Sequence, residues 1–483
     1  MKTQLVIDNQ AIEAQSGKTF ERRSPTTGKT VSVGAAASSA DAIAAADSAQ
    51  AAFRTWSKVG PTERRRILLR AADILESKRI ELRSTMAKEI GASELWVDFN
   101  VMASAALFRE AAALATQIQG ETIPTDKPGT LSFTERQPVG VVLSLVPWNG
   151  PVILAARAIA YPLVCGNTVV FRASETSPAT HLAVAESLYE AGLPPGVLNF
   201  LTCSAESAPE VTDVLIRHPA IQRINFTGST RVGRIIAEKA AAQLKRCLLE
   251  LGGKAPFIVL DDADIDSAVN AATFGAFLYQ GQICMSTERF VVDEKIADEF
   301  AARFANRTRE LPVGDPSVQA ACVVGPLINA ESGARINGLI EDAVNKGATI
   351  LTGGHAEGAL MKPTIVDHVH PSMQIYDEET FGPITTIVRV YSAEEAVRVA
   401  NDTAYGLSAA VFGRDVTRAL QVARQIDAGC VHINGATVQN EPQAPYGGMK
   451  QSGYGRFDGR AVIDEFTELK WITIEPATQP YPF

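Results

Sequence analysis

Strand-like and helix-like segments alternate along most of this chain, and that alternation limits its fold more than any other feature. From Val141 the order is a strand-like run 141–146, a helix-like run 152–163, a strand 168–171 and a helix 179–191 closed by Gly192. It continues with a strand 197–201, a helix around 208–216, a strand 221–226, a helix 231–242 and a strand 247–251. Strands separated by helices predict a parallel sheet covered on both faces. The second half repeats the rhythm: helix 265–279, strand 290–292, helices 296–310 and 330–346, strand 384–390, helix 393–401, strand 409–412, helix 417–426 and strand 430–433. This predicts a second α/β unit.

Outside that rhythm, the Ala-rich region 35–52 has helical spacing after Asp41, with Trp56 and Val59 as packing residues, and reads as a surface helix. Segments 131–139 and 467–475 alternate apolar and polar residues, as exposed strands that need a partner do. A chain of 483 residues exceeds what one hydrophobic core usually supports, so two or three domains are expected. Hydrophobic content of 46% and charged content of 20% describe a globular chain. A net charge of −9 without a basic stripe argues against a nucleic-acid partner. Arg64, Arg65 and Arg66, after Pro61 at a helix start, read as a solvated face.

The longest apolar stretch, 141–171, is interrupted by Pro147, Asn149, Pro151, Arg157 and Pro162, so it is not one spanning helix and no membrane association is expected. The first ten residues carry no signal-peptide pattern, which predicts a cytoplasmic protein. The six cysteines lack CxxC spacing, so neither a zinc site nor a disulfide framework is expected, and no metal is assigned.

Cys284 lies among small and apolar neighbours in Gly281-Gln282-Ile283-Cys284-Met285-Ser286 and is a candidate nucleophile. Glu250, in Leu249-Glu250-Leu251-Gly252-Gly253-Lys254, is a candidate base. Asn149 follows a strand in Pro147-Trp148-Asn149-Gly150; such an asparagine is more often a turn former than a donor to an oxyanion. Phe226-Thr227-Gly228-Ser229-Thr230, with Gly233, leads from a strand into a helix, where backbone amides attract phosphate; alone it is equally a tight turn. Arg172-Ala173-Ser174-Glu175 ends a strand, and Glu175 alone is a helix-cap carboxylate. Glu378-Glu379-Thr380-Phe381-Gly382-Pro383 alone is an acidic turn.

Taken together and in this order, these segments resemble the aldehyde dehydrogenase superfamily. Asn401-Asp402-Thr403, Tyr405-Gly406-Leu407 and Pro445-Tyr446-Gly447-Gly448 extend the likeness toward the C-terminus. The resemblance implies an α/β fold with a Rossmann-type NAD-binding domain (1–120 and 140–252), a second α/β catalytic domain (253–450) and a small β oligomerisation element (121–139 and 460–483). It implies Cys284 as nucleophile, Glu250 as base for thioester hydrolysis, and Asn149 with a backbone amide around the oxyanion. NAD would be held by Val146, Pro147, Trp148, Arg172, Ser174, Glu175, Phe226, Gly228, Ser229, Val232, Leu251, Gly252, Glu379 and Phe381. Glu175 would accept from the adenosine ribose and repel a 2′-phosphate.

Four departures from the family pattern bear on the substrate. Arg172 stands where lysine is usual, Gly150 and Arg157 where aromatics are common, and Ala158 and Phe457 replace a lysine and a glutamate that form a proton-relay pair. Losing a ring at Gly150 makes room for a substrate ring, and Arg157 either meets a phenolic oxygen or serves as an ion-pair partner. The expected substrate is therefore an aromatic aldehyde, salicylaldehyde or a close benzaldehyde analogue, with vanillin or aliphatic aldehydes as the alternative. Its wall candidates are Gly150, Leu154, Arg157, Ile283, Met285, Tyr446 and Trp96, with Phe99 near the mouth. A homodimer or dimer of dimers is expected. A thiol hydrolase built on Cys284 and His432, or a catalytically silent relative, are the rival readings.

Overall fold

The computed structural model describes residues 1–319, 321–478 and 481–483. Its α/β architecture rests on two large sheets. In the first, of eight strands, Arg246–Glu250, Ile221–Thr227, Val141–Leu145, Thr168–Arg172 and Leu198–Leu201 run parallel in that spatial order. Antiparallel Leu5–Ile7 and Gln10–Ile12 extend one edge, and Gly453–Tyr454 closes the other. The strands are buried along their length, which is why they read as continuous apolar runs.

In the second sheet, Thr364–Asp367, Ile384–Val390, Thr287–Asp293, Ala255–Val259, Ser408–Phe412 and Cys430–Ile433 run parallel, with Thr349–Thr352 antiparallel at the edge. The sequence pattern missed Ala255–Val259, although it lies near the middle of this sheet. Pro256 stands inside this five-residue run, and a proline within an apolar run argues against a central strand. Helix 265–279 stops at Phe277 and passes into a tight turn.

Two surface readings change. The Ala-rich segment is the helix Ser39–Trp56, capped by Ser38 and Asp41, but its Ala42, Ala45, Ala46 and Ala49 are wholly buried. Their small side chains pack among Leu143 and Val170, so the helix is part of the core. Of the three arginines, only Arg66 is exposed. Arg64 donates to the Val59 and Val164 carbonyls and Arg65 to the Ala112 carbonyl, tying helix Pro61–Ser77 to the C-terminal ends of its neighbours.

Leu131–Pro138 and Thr467–Ile474 pair antiparallel with each other, from Leu131 opposite Ile474 to Pro138 opposite Thr467. Residues 479 and 480 of the expected oligomerisation element lie outside the described residues. Among the described residues no helix is long and apolar enough to cross a membrane.

The site arises where the two sheets meet. Glu250 is the last residue of its strand, opposite Thr227, and the Val141–Leu145 strand opens directly into Pro147–Gly150. These are carboxyl ends of a parallel sheet, where open α/β folds place their ligands. Cys284 arrives from the other side, just ahead of Thr287–Asp293. Gly253 permits the approach: a Cβ there would stand 2.3 Å from the Cys284 carbonyl oxygen.

Candidate active site

The turn that delivers Cys284 is strained. Tyr279 and Gln280 both take left-handed φ angles of 48° and 53°, followed by Gly281 at 68°. Side chains over-determine it: the Tyr279 hydroxyl donates to the Ile90 carbonyl, and the Gln280 amide to the Gly91 and Pro326 carbonyls. Beyond the turn, the Gln282 carbonyl accepts from the Asn149 side chain at 3.0 Å. Trp96 donates from Nε1 to the Asn149 carbonyl at 3.0 Å, and stacks on Phe99 and Tyr279. Asn149 is thus fixed beside the Cys284 segment with its amide nitrogen facing it.

The Tyr446 hydroxyl stands 3.2 Å from Cys284 Sγ and 3.2 Å from Glu250 Oε1. Among the described residues the second Glu250 oxygen, Oε2, meets no hydrogen-bond partner although it is buried. Burial pushes the Glu250 carboxyl above its ordinary value, only partly offset by Cys284, Arg157 and Tyr446. Burial, then the nearby Glu250 carboxylate, push the Cys284 thiol well up. A raised carboxyl is better matched to base catalysis near neutral pH than an ordinary one.

Arg157 settles as an ion-pair partner, and the expectation that it offers a free guanidinium to a phenolic oxygen is corrected. Its Nε and Nη2 donate to Asp458 at 3.2 and 3.0 Å, with both side chains almost wholly buried. Asn440 donates to the same carboxylate at 2.9 Å. The guanidinium lies 4.4 Å from the Tyr446 ring centroid and 5.8 Å from that of Phe457. Burial, the largest single influence, would lower its pKa, but Asp458 together with Tyr446, Glu250 and Tyr161 outweighs burial and holds it charged.

Two cavities meet at this cluster. One of about 270 Å³ is lined by Asn149, Glu250, Cys284, Glu379 and Phe381; the other, of about 510 Å³, by Arg172, Ser174, Glu175, Phe226 and Val232. Pro147, Trp148, Thr227, Gly228 and Ser229 line both, so the two form one elongated cleft. Val146, Leu251 and Gly252 complete the lining, so each cofactor candidate falls on one of its walls. The wall candidates Gly150, Leu154, Ile283 and Met285 line neither cavity; they are nearly buried, and Leu154, Ile283 and Met285 share one hydrophobic cluster with Tyr446.

The cleft suits a dinucleotide. Ser229 caps helix Thr230–Ala241 through the Val232 amide and leaves that helix end facing the cavity, as anionic phosphate requires. Arg172 donates from Nε to Cys203 Sγ at 3.2 Å and lies 3.4 Å from Glu175. Its fork is therefore held at the base of the cleft beside the carboxylate. At the other end, the Gly253 amide donates to Glu379 at 2.8 Å. Burial, then Glu288, push the Glu379 carboxyl up to about 8. Such a carboxyl has capacity left for ribose hydroxyls.

Sequence reasoning missed what holds this end. Lys254 and Glu288 form a buried pair at 2.8 Å. Lys254 donates to the Glu378 carbonyl, and Glu288 accepts from the Thr380 and Phe381 amides. Phe381, at φ 48°, then meets Trp148 edge-on. Polar residues around the larger cavity, Asp213, Arg231 and Lys239, were also missed, since surface charges on helices carry no local signature. His432, the rival dyad member, is half-buried with Nε2 unpartnered, while the thiol's partner is Tyr446.

A thiol gathered with a carboxyl at the end of a dinucleotide cleft between two α/β units is the arrangement of an enzyme that acts on carbonyl carbon with a nicotinamide cofactor. The chain belongs to the aldehyde dehydrogenase family, whose sequence profile matches residues 11–472. It is 64% identical over 483 residues to salicylaldehyde dehydrogenase of Pseudomonas sp. strain C18, covering 100% of both chains. The crystal structure of a salicylaldehyde dehydrogenase from Pseudomonas putida G7 complexed with salicylaldehyde superposes with a TM-score of 0.99 at 64% identity, covering 100% of each. That of PnpE in complex with nicotinamide adenine dinucleotide has a TM-score of 0.95 at 36% identity, covering 100% of this chain and 99% of that one.

Proposed function

We propose that this chain oxidises an aromatic aldehyde of the salicylaldehyde type to its carboxylic acid, with NAD as acceptor and Cys284 as covalent nucleophile. The observation that carries this reading is the Cys284, Tyr446 and Glu250 cluster at the closed end of the dinucleotide cleft. The relatives whose names specify salicylaldehyde add the substrate class.

In this mechanism the Cys284 sulfur attacks the aldehyde carbon, and the Asn149 amide with the backbone N–H of Cys284 holds the oxygen as it becomes negative. Each such donor supplies about 2.7–4 kcal/mol in comparable sites. NAD, when bound, would supply the acceptor for the hydride that leaves the substrate carbon. Glu250 then takes a proton from water, which hydrolyses the Cys284 thioester and frees the acid. Glu379 and Phe381 hold the nicotinamide end, Glu175 and Arg172 the adenosine ribose, and Gly228, Ser229 and Val232 the phosphates.

Gly150, Leu154, Ile283, Met285, Tyr446 and Trp96 form the aromatic wall, with Arg157 acting through the Tyr446 ring. A Cβ at Gly150 would stand 3.1 Å from Ile153 and 3.6 Å from Leu154, so a larger side chain there would have to displace these wall residues. A buried ring gains roughly 25 cal/mol per Å² of apolar area, which small aliphatic aldehydes cannot collect. The units 1–120 with 140–252, and 253–450, divide cofactor binding from delivery of the nucleophile. Exposed Leu131, Leu469, Trp471 and Ile474 on the paired strands are the surface for a second copy, giving a cytoplasmic homodimer or dimer of dimers.

The test is NADH formation across acetaldehyde, benzaldehyde and salicylaldehyde, with wild type and Cys284→Ala. The expected order of kcat/KM rises toward the aromatics, and the alanine variant binds NAD but forms no NADH. Equal kcat/KM for acetaldehyde, or turnover by Cys284→Ala, would sink the proposal.

A further inference from the structure

The hydroxyl of Tyr446 touches both groups that must exchange a proton. Cys284 has to lose one before it can attack, and Glu250 is the carboxylate in the same cluster. Ala158 and Phe457, which flank Arg157, carry no ionisable group that could serve in this exchange. The phenol is instead the group that stands within 3.2 Å of Sγ and of Oε1 alike.

Its position is built. Tyr446 and Phe457 exchange backbone hydrogen bonds at 2.8 and 2.7 Å, so the ring cannot swing away. Arg157 covers one face at 4.4 Å and is itself clamped by Asp458, which Asn440 holds. The buried cation steadies negative charge on the phenol oxygen or on sulfur.

We propose that Tyr446 relays the proton from Cys284 to Glu250, with Arg157 and Asp458 as the positioning pair behind its ring. The proposal rests on the aldehyde dehydrogenase chemistry above. In the step, the S–H bond breaks as its proton passes to the phenol oxygen, and the phenol O–H proton passes to Glu250 Oε1. Cysteine and carboxylate become thiolate and carboxylic acid, the phenol is regenerated, and no electrons are transferred; Glu250 passes this proton to solvent in the cleft before it accepts one from the hydrolytic water. Net charge in the cluster is conserved, which favours the transfer between groups that are largely buried. The charged or titratable groups facing this path are Cys284, Glu250, Arg157 and Asp458, with Glu379 influencing Glu250 from the cofactor side. Glu250 and Cys284 also influence each other directly, so a direct transfer is the competing route.

The experiment reads alkylation of Cys284 by iodoacetamide against pH, by mass spectrometry, in wild type, Tyr446→Phe, Glu250→Gln and the double variant, without cofactor or substrate. Phenylalanine keeps the ring beneath Arg157, and NAD titration verifies the fold. The expected result is at least tenfold slower alkylation at neutral pH in each single variant, with a profile displaced to higher pH, loss of the proton acceptor in Glu250→Gln outweighing relief of the carboxylate's repulsion of the thiolate. The double variant is no slower than either single one, because both remove the same path. An unchanged profile in Tyr446→Phe, or additive losses in the double variant, overturns the relay. Because the readout needs no aldehyde, it is independent of the substrate assignment: a wild type that alkylates as described but oxidises no aldehyde would refute the function and leave the relay standing.

Discussion

The cofactor side and the aldehyde side of Cys284 are each held by one buried ion pair, but the pairs grip different things. Lys254 and Glu288 grip backbone: the Glu378 carbonyl and the amides of Thr380 and Phe381. Arg157 and Asp458 grip side chains: the Tyr446 and Phe457 rings and the Asn440 amide. Backbone held by a pair has one geometry, which suits a cofactor that is the same in every turnover. Rings held by a pair can be repacked by substitution without moving the chain, which suits a pocket whose substrate differs among relatives. Buried ion pairs add little net stability relative to apolar replacements, yet breaking one strands a charge. Their role here is to place groups.

The largest effect should come from the backbone-gripping pair. Lys254→Met leaves Glu288 buried without its cation, so unfolding in urea should show a loss of about 3–5 kcal/mol, and NAD affinity should fall with the loop. If NAD titration is unchanged while stability drops, the pair does not position the cofactor loop.

Arg157→Met should cost less, about 2–3 kcal/mol, since Asp458 keeps the Asn440 amide. NAD affinity should hold while KM for salicylaldehyde rises. A fall in NAD affinity matching that of Lys254→Met would erase the distinction between the two sides.

The smallest effect is electrostatic. Glu379 titrates near 8 when folded against an ordinary 4.5, so the folded protein keeps a proton that the unfolded chain loses. This part of the stability is therefore full below pH 4.5 and declines as pH rises toward 8, by roughly 1 kcal/mol per pH unit. Between pH 6 and 7 the wild type should lose that much relative to Glu379→Gln. Parallel curves for the two would mean that Lys254 already compensates the carboxylate.

Much of the fold was legible because its signals are local. Buried parallel strands read as short apolar runs and their helices as amphipathic ones, so the rhythm from Val141 matched most observed strands to within a residue, although Thr287–Asp293 was read only at 290–292 and Thr349–Thr352 and Thr364–Asp367 were not read. Ala255–Val259 escaped because Pro256 interrupts its apolar run. The Ala-rich helix was misplaced at the surface because alanine carries no strong burial signal, although four of its alanines line the core. In the site, the segments around Asn149, Gly228, Glu250, Cys284 and Glu379 stood out as turns at strand ends, and the structure brings them into one cleft. Tyr446 was readable as a wall residue but not as a bridge, and Arg157 left two readings open.

What the sequence determined by itself is what depends on neighbours in the chain: strand period, helix caps, glycine turns and the order of the motifs. What only tertiary structure decided is which distant side chains meet. Tyr446 lies 162 residues from Cys284 and 196 from Glu250, and Asp458 lies 301 from Arg157. Nothing in a local pattern records such meetings. They follow from the docking of one sheet's carboxyl edge against a second sheet, and there burial turns weak contacts into a positioned thiol, a carboxyl raised above its ordinary range and a fixed cation.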